Sequence, residues 1–179
     1  MIELEFRSRF SQEKYDEVKS FLEANAKSLG EDDKDCAYFV LPDRLLKVVH
    51  NVSQGDAKVS LKLNRLGEGA AFEEMEFYFA EGDFELAKKI FSSLGLDAKY
   101  LEESQKRVNY LYGGCEIALK IGKTWGHHLE IEKMIESTSQ QEQAERDIRA
   151  VAEELGVALM TEGEVKKFVE EIERKVVSH

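Results

Sequence analysis

Residues 3–7 read Glu-Leu-Glu-Phe-Arg, so that two carboxylates and a guanidinium alternate with two apolar side chains. Because successive side chains of a β-strand point to opposite faces, this spacing predicts a strand with Glu3, Glu5 and Arg7 on one face. The polar face of an ordinary strand is a mixture rich in Thr, Ser, Gln and Lys. The charged face of this strand is therefore the first candidate for a functional surface.

The same alternation recurs along the chain and predicts eight strands. They are expected at residues 2–10, 35–41, 44–51, 57–65, 72–80, 99–112, 115–121 and 127–135. Gly113 and Gly114 separate two of these strands and predict a tight hairpin, because glycine accepts the positive φ that such a turn requires.

Amphipathic helices are predicted between and after the strands. The first is expected at 12–29, ended by Gly30, and the second at 84–94. Two residue pairs with capping-box spacing predict where two further helices begin: Ser139 with Glu142, and Thr161 with Glu164. The order of elements predicts an α+β protein in which eight antiparallel strands form a barrel surrounded by about four helices. A closed barrel would leave no exposed strand edge.

Composition restricts the class of protein. The chain of 179 residues has one proline and no low-complexity tract, which predicts a single domain over residues 1–179. The formal net charge of −11 disfavours a general nucleic-acid or anionic-membrane surface, and no apolar run is long enough to span a bilayer. Cys36 and Cys115 lack C-x-x-C spacing and indicate a reducing compartment. We therefore expect a cytoplasmic protein that binds neither nucleic acid nor membrane.

Two more predicted strands carry glutamates at the same two-residue spacing, Glu74 with Glu76 and Glu130 with Glu132. The remaining strands offer basic side chains: Lys47, Lys58, Lys62, Arg107 and Lys120. Residues two apart on a strand lie about 6.5–7 Å from each other, so one pair cannot chelate a small ion alone. Pairs facing each other across a barrel could share Mg²⁺ or Mn²⁺, which prefer oxygen ligands, while the basic side chains bind a polyphosphate. The alternative is a set of cross-strand salt bridges on an open sheet.

In their order along the chain, these elements resemble the CYTH domains, or triphosphate tunnel metalloenzymes. The family begins with a Glu-x-Glu-x-Lys strand, which residues 3–7 resemble with arginine in place of lysine. Four further segments are similar to family motifs: Ser60-Leu61-Lys62, Glu74-Met75-Glu76, Arg107-Val108-Asn109-Tyr110 and residues 125–132. The resemblance covers residues 1 to about 135. The sequence departs from the family pattern at Val49, where an arginine is usual, and at Lys120, where an aspartate is usual.

The resemblance implies a tunnel with a polar interior. It implies that Glu3, Glu5, Glu130 and Glu132 hold Mg²⁺ or Mn²⁺, and that Glu5 and Arg7 take part in catalysis. The residues implied to bind a triphosphate are Arg7, Lys47, Lys58, Lys62, Arg107 and Lys120, with Glu74 and Glu76 as further tunnel carboxylates.

Three functions are compatible with this reading. The first is metal-dependent hydrolysis of a triphosphate such as tripolyphosphate, thiamine triphosphate or ATP. The second is a class IV-like adenylate cyclase that converts ATP to cyclic AMP and pyrophosphate. The third is a non-catalytic module that binds a phosphorylated ligand, which the departures at Val49 and Lys120 favour. A homodimer is left open.

Overall fold

The computed structural model describes residues 2–63, 71–72 and 74–175. Its strand segments are β1 (Ile2–Arg9), β2 (Lys27–Glu31), β3 (Lys34–Val40), β4 (Leu45–Asn51), β5 (Asp56–Lys62), β6 (Ala71–Phe72), β7 (Glu74–Phe79), β8 (Lys99–Tyr112), β9 (Cys115–Gly122) and β10 (Gly126–Ile135). The α-helices are α1 (Gln12–Asn25), α2 (Phe84–Ser93), α3 (Gln141–Glu154) and α4 (Glu162–Lys175), with short 3₁₀ turns at Glu81–Asp83 and Thr138–Gln140. None of these helices has the length and apolar character that a bilayer crossing requires.

The strands form one curled antiparallel sheet in the order β6-β1-β10-β9-β8-β3-β4-β5-β7, and β2 pairs with β8 beside this path. β6 pairs with β1 and β7 pairs with β5, while a single residue separates β6 from β7 in the chain. Both ends of the sheet therefore belong to the same stretch of chain. This arrangement confirms the predicted antiparallel α+β tunnel fold.

Helices α1, α2 and α3 cover the apolar outer face of the sheet. One cluster packs Leu4, Leu119 and Ile131 of the sheet against Leu22 of α1 and Ile148 of α3, all fully buried. A second cluster packs strand residues of β3, β4 and β5 against partly buried apolar residues of α2. The hydrophobic effect thus directs alternate apolar residues of β1, β3, β4, β5, β9 and β10 outward into these clusters and leaves the charged residues between them inside.

The first predicted helix is wrong at its C-terminal end. α1 ends at Asn25, and residues 27–31 form the unpredicted strand β2. Leu29, at the end of the predicted helix, is 43% exposed, and Gly30 has φ +96° within the strand instead of following a helix. The reason is tertiary. β8 extends past β3 and offers the backbone of Val108–Leu111 as a partner for this segment.

Other boundaries also differ. The strand predicted at 72–80 is described as β6 and β7, with residue 73 outside the described residues. Of the strand predicted at 57–65, the structure has β5 ending at Lys62, and residues 64–65 lie outside the described residues. The expected capping box at Ser139 and Glu142 is wrong, because Ser137 and Gln140 form it at the preceding 3₁₀ turn. The box at Thr161 and Glu164 is confirmed, with the Glu164 N–H donating to Thr161 Oγ1 at 3.2 Å. The hairpin at Gly113 and Gly114 is confirmed by their φ values of +57° and +72°.

Candidate active site

The inner face of the sheet encloses a cavity of about 430 Å³. All the residues singled out from the sequence line it: Glu3, Glu5, Arg7, Lys47, Lys58, Lys62, Glu74, Glu76, Arg107, Lys120, Glu130 and Glu132. They meet because each strand contributes the side chains of alternate residues to the concave face. Charged groups predicted from separate strands therefore form one site. Their binding and catalytic roles stay predictions.

Lys62 lies at the centre of one group of charges, where β5, β1 and β7 meet. Its Nζ is 2.9 Å from Glu5 Oε2, 3.7 Å from Glu3 Oε2 and 3.8 Å from Glu74 Oε2. Burial lowers the pKa of Lys62, but the attraction of Glu5, Glu3 and Glu74 outweighs burial and the pKa is raised overall. Lys62 is therefore a fixed positive charge among three carboxylates. Lys47, 3.1 Å from Glu74, extends this group along β4.

A second group of charges lies where β1 pairs with β10. Arg7 forms ion pairs with Glu5 and with Glu130, the latter at 3.2 Å between Nε and Oε1. Glu130 also pairs with Lys120 on the neighbouring strand β9. Burial alone would raise the pKa of Glu130, but Lys120 and Arg7 hold it well below its usual range. The ammonium of Lys120 thus occupies the space beside Glu130, and Val49 contributes an apolar side chain to the same cavity.

Asp32 lies at the centre of a third group of charges and was not predicted from the sequence to contribute to the site. Its Oδ2 is 2.8 Å from Lys34 Nζ and 3.1 Å from Arg107 Nε, and it accepts a hydrogen bond from Asn109 Nδ2 at 3.2 Å. Arg107 Nη2 in turn lies 3.5 Å from Glu132. Asp32 therefore holds two basic side chains in place at the cavity wall.

Further lining residues were not assigned to the site from the sequence: Lys34, Cys36, Tyr38, Leu45, Gln105, Trp125, His128 and Met134. The signal for three of them was present, because Lys34, Cys36 and Tyr38 alternate along one strand. The predicted strand began one residue too late, at 35, and so excluded the lysine. Trp125 lies in the turn between β9 and β10, where alternation offers no guide.

Negative charge is crowded at one side of the cavity. Burial raises the pKa of Glu132 to about 8, and Glu130 and Glu5 add to the rise although Arg107 opposes it. Burial and the neighbouring Glu5 also raise the pKa of Glu3. Glu5 Oε1 is buried and accepts no hydrogen bond of regular geometry from the described residues, although the Arg7 guanidinium lies beside it. Such a carboxylate group favours an additional cation.

His128 is buried at the edge of this site, with 2% of its surface exposed. Its Nδ1 lies 3.0 Å from the carbonyl oxygen of Gly126, and its ring lies 5.5 Å from that of Trp125. Burial and the nearby Lys120 lower its pKa to about 4. The imidazole is therefore neutral in the folded protein at physiological pH.

This shift predicts a pH dependence of stability. The unfolded state binds a proton at His128 below about pH 6.5, whereas the folded state binds it only near pH 4. The stabilisation is therefore complete above pH 6.5 and is lost as the pH falls towards 4. Between about pH 6.5 and pH 4 we expect the free energy of unfolding, measured with denaturant, to fall by up to about 3 kcal/mol more in wild type than in His128→Phe. His127→Phe, on the opposite face of β10, should keep the wild-type slope. Equal slopes for wild type and His128→Phe would contradict the assignment.

The described residues contain no group of three His, Cys, Asp or Glu side chains converging on one point as a preformed metal site. The carboxylates instead contact cations of the chain itself, as Glu5 contacts Arg7 and Lys62. The two hypotheses about the charged residues, an enclosed site and a set of cross-strand salt bridges, each agree with the structure in part. The charges are enclosed in a cavity, and they form ion pairs across its strands.

Several solved structures share this fold. The PH1012 protein from Pyrococcus horikoshii OT3 is 26% identical, with a TM-score of 0.71 over 87% of this chain and 91% of that chain. A candidate adenylate cyclase from Vibrio parahaemolyticus is 14% identical, with a TM-score of 0.68 over 95% and 98% of the two chains. HpAC1 from Hippeastrum, a candidate adenylyl cyclase described as having a dominant triphosphatase activity, is 16% identical, with a TM-score of 0.64 over 88% and 89%.

Among curated proteins, none matches this chain. The family model of the CYTH domain, in contrast, matches residues 1–162. This match covers every described strand of the curled sheet and helices α1, α2 and α3, and it agrees with the order of charged strands around the cavity. The chain therefore belongs to the CYTH domain family.

Proposed function

We propose that this protein hydrolyses a triphosphate in the cavity with the help of Mg²⁺ or Mn²⁺. The observation that carries the proposal is the composition of the cavity wall. Seven basic and six acidic side chains of the described residues face one enclosed space of about 430 Å³. Charged groups are costly to bury, and a cavity that holds this many suits a ligand that is itself highly charged. The activity described for HpAC1 is in line with this proposal.

The basic residues supply the contacts for the phosphates. Arg7 and Arg107 can each donate two parallel hydrogen bonds to a phosphate, and the lysines act as point charges. Asp32 holds Arg107 and Lys34 at the wall, so these donors lose little freedom when a ligand binds. Arginine does not deprotonate in proteins, so Arg7 would stabilise developing negative charge on phosphoryl oxygens and would not transfer a proton.

A triphosphate brings more negative charge than the small excess of basic side chains in the wall can balance. A divalent cation would balance the remaining negative charge, and the glutamate oxygens of the cavity wall are ligands of the kind that such a cation prefers. Mg²⁺ is usually bound by one or two carboxylates together with substrate phosphates and water, so a preformed three-carboxylate site is not required. Glu3, Glu5, Glu130 and Glu132 would hold the ion, with Glu5 Oε1 as a buried oxygen that lacks a regular hydrogen bond. When bound, the cation would polarise phosphoryl oxygens and acidify a bound water.

A phosphate-release assay tests the proposed function. Tripolyphosphate, thiamine triphosphate and ATP are each incubated with the protein, with Mg²⁺, with Mn²⁺ and with a chelator. We expect release of phosphate from at least one substrate, and only with a divalent cation. Absence of metal-dependent turnover with all three would contradict the proposal.

The second candidate is an adenylate cyclase, which the segment Gly126 to Glu132 favours because it resembles the corresponding segment of the cyclase branch of the family. The same assay distinguishes it from hydrolysis, because a cyclase produces cyclic AMP and pyrophosphate from ATP instead of phosphate. The third candidate is a binding module, favoured by Lys120 and Val49 in the cavity wall. It predicts that tripolyphosphate binds without turnover and without need of metal.

Binding itself should be visible as thermal stabilisation. A ligand at 100 times its dissociation constant stabilises the native state by about 2.7 kcal/mol. For a chain of this size, that corresponds to a rise in melting temperature of roughly 5–10 °C. We expect this rise for a triphosphate with Mg²⁺ and a smaller rise for either alone, as measured by differential scanning fluorimetry. Monophosphate serves as the control and should give little shift. A rise that is the same with and without metal would favour the binding module.

A further inference from the structure

An exposed apolar surface lies on the outside of the sheet, where α2 and β7 are neighbours. We call it the α2–β7 surface. It consists of five large side chains that are each more than half exposed: Met75, Phe77, Leu86, Ile90 and Leu94. They are half of the ten large apolar residues that are exposed in the described part of the chain. Single exposed apolar residues are normal on a protein, whereas several in one place indicate an interaction surface.

β7 contributes Met75 and Phe77 from its outer face. In the pairing of β7 with β5, Met75 lies opposite Leu61 and Phe77 lies opposite Val59. Directly paired residues of antiparallel strands have their side chains on the same face of the sheet. Val59 is buried in the outer cluster against which α2 packs, whereas Phe77, on the next strand, is 58% exposed. The apolar outer face of the sheet therefore continues beyond the area that α2 covers.

The exposed apolar residues of α2 lie on the flank of the helix that faces β7. On the other flank, Lys88 Nζ lies 3.2 Å from Glu102 Oε1 of β8. Leu86 and Ile90 are each two residues from Lys88, which places them about 160° around the helix from it. Since β5 and β7 lie on the side of β4 away from β8, this flank faces them. Leu94, one turn after Ile90, continues the same stripe. The exposed residues of α2 and β7 therefore form one surface.

The area of the α2–β7 surface matches what a stable dimer needs. Its five side chains are 52–60% exposed. A large side chain presents about 200 Å² when fully exposed, so together they offer roughly 500 Å² of apolar surface in each copy. A stable interface removes about 800 Å² from each partner, and about 65% of a homodimer interface is apolar. The apolar share of such an interface is therefore also roughly 500 Å² per copy.

The charges around this surface fit a second copy of the chain. A net charge of −11 makes two copies repel each other unless they meet where negative charge is not in excess. The exposed charges beside the stripe on α2 are Glu85 and Lys89, of opposite sign and one turn apart. When two α2 helices pack antiparallel about a twofold axis, Glu85 of each copy lies next to Lys89 of the other. A strongly basic partner or an anionic membrane finds no matching charge here.

We propose that a second copy of this chain binds the α2–β7 surface, so that the protein is a homodimer with a twofold axis between its two α2 helices. The same residues of both copies form such an interface. The inner face of β7 carries Glu74 and Glu76, which line the cavity. The dimer interface therefore lies directly behind one wall of the candidate active site.

Sedimentation velocity over a range of protein concentrations tests this proposal. Interfaces of this size have dissociation constants that are micromolar or lower, so wild type should be mostly dimeric at about 50 µM. Ile90→Glu and Phe77→Glu each place a charge in the apolar interface and should raise the dissociation constant of the dimer by about 10-fold or more. Leu29→Glu adds the same charge at a 43% exposed position on β2 and should keep the wild-type constant.

Three results would overturn the inference. The first is a wild type that stays monomeric at about 100 µM. The second is a dimer that neither Ile90→Glu nor Phe77→Glu weakens, because it would form through another surface. The third is equal weakening by Leu29→Glu, which would assign the loss to the added charge alone.

The folding of each variant is checked by circular dichroism. Both changed positions are more than half exposed, so the changes should leave the monomer folded. A variant that does not fold is replaced by the alanine change at the same position. That change should raise the dissociation constant at least about threefold, and an unaltered constant overturns the inference there too. The oligomeric state is measured without any triphosphate, so this result does not depend on the proposed hydrolysis.

Discussion

Replacement of Glu5 by glutamine should reduce kcat/KM for the preferred triphosphate by about 10²–10³-fold, which corresponds to a loss of several kcal/mol of transition-state stabilisation. Glu5 is 2% exposed, contacts both Lys62 and Arg7, and carries the buried oxygen that lacks a regular hydrogen bond. Glutamine keeps the shape of the side chain but removes the charge that would attract a cation. Steady-state kinetics at saturating Mg²⁺ measures the loss.

Folding of this variant is expected to persist because the neighbouring cations keep other partners. Lys62 retains Glu3 and Glu74, and Arg7 retains Glu130. Glu5→Asp, which keeps the charge on a shorter side chain, should give intermediate activity. Glu153→Gln on the exposed face of α3 is the matched control and should behave as wild type. A Glu5→Gln variant that is folded and turns over its substrate within about threefold of wild type would remove Glu5 from the site.

The second large effect is expected on stability. Lys62→Met should lower the free energy of unfolding by about 3–5 kcal/mol, because removal of one member of a buried ion group leaves uncompensated charge. Lys62 is 7% exposed in its side chain, and its loss would leave Glu3, Glu5 and Glu74 facing one another. Denaturant unfolding at pH 7 and constant ionic strength measures the difference. Added Mg²⁺ should stabilise this variant more than wild type, since a cation that binds only the native state can replace the missing charge.

Lys58→Met is the matched control on the same strand. Lys58 pairs with Glu76, and their side chains are 21% and 29% exposed. An ion pair with this much solvent contact contributes less than about 1 kcal/mol, so this variant should unfold close to wild type. If Lys62→Met lowered the free energy of unfolding no more than Lys58→Met did, the ion pairs of Lys62 would contribute little to stability. The cavity would then hold enough water to screen these charges.

The members of the site could be predicted from the sequence because they lie in strands whose alternation is regular. Glu3, Glu5 and Arg7 show the pattern, and the same two-residue spacing identified Glu74, Glu76, Glu130 and Glu132. Residues outside a regular strand were missed, among them Trp125, which lines the cavity, and Asp32, which contacts Lys34 and Arg107 of its wall. Asp32 precedes β3 and reaches Arg107, which is 75 positions further along the chain. Nothing in local spacing indicates such a contact.

The predicted helix and strand boundaries were wrong where a strand far away in the sequence determined the conformation of a segment. Residues 26–29 continue the helical periodicity of α1, but β8 offers them strand pairing, and that pairing prevails. The intrinsic helix propensity of a residue amounts to a few tenths of a kcal/mol and is easily outweighed by tertiary contacts.

The sequence by itself determined which side chains share a face, because a strand has a period of two and the apolar residues must leave water. It thereby determined that glutamates and basic residues would meet inside a curled antiparallel sheet, and it suggested the family. Only the tertiary structure decided which charges pair. Lys62 reaches Glu5 across 57 positions, Lys120 takes a place beside Glu130, and the basic wall turns apolar under α4. These contacts depend on how far the sheet curls and where the helix lies, and both follow from the packing of the whole chain.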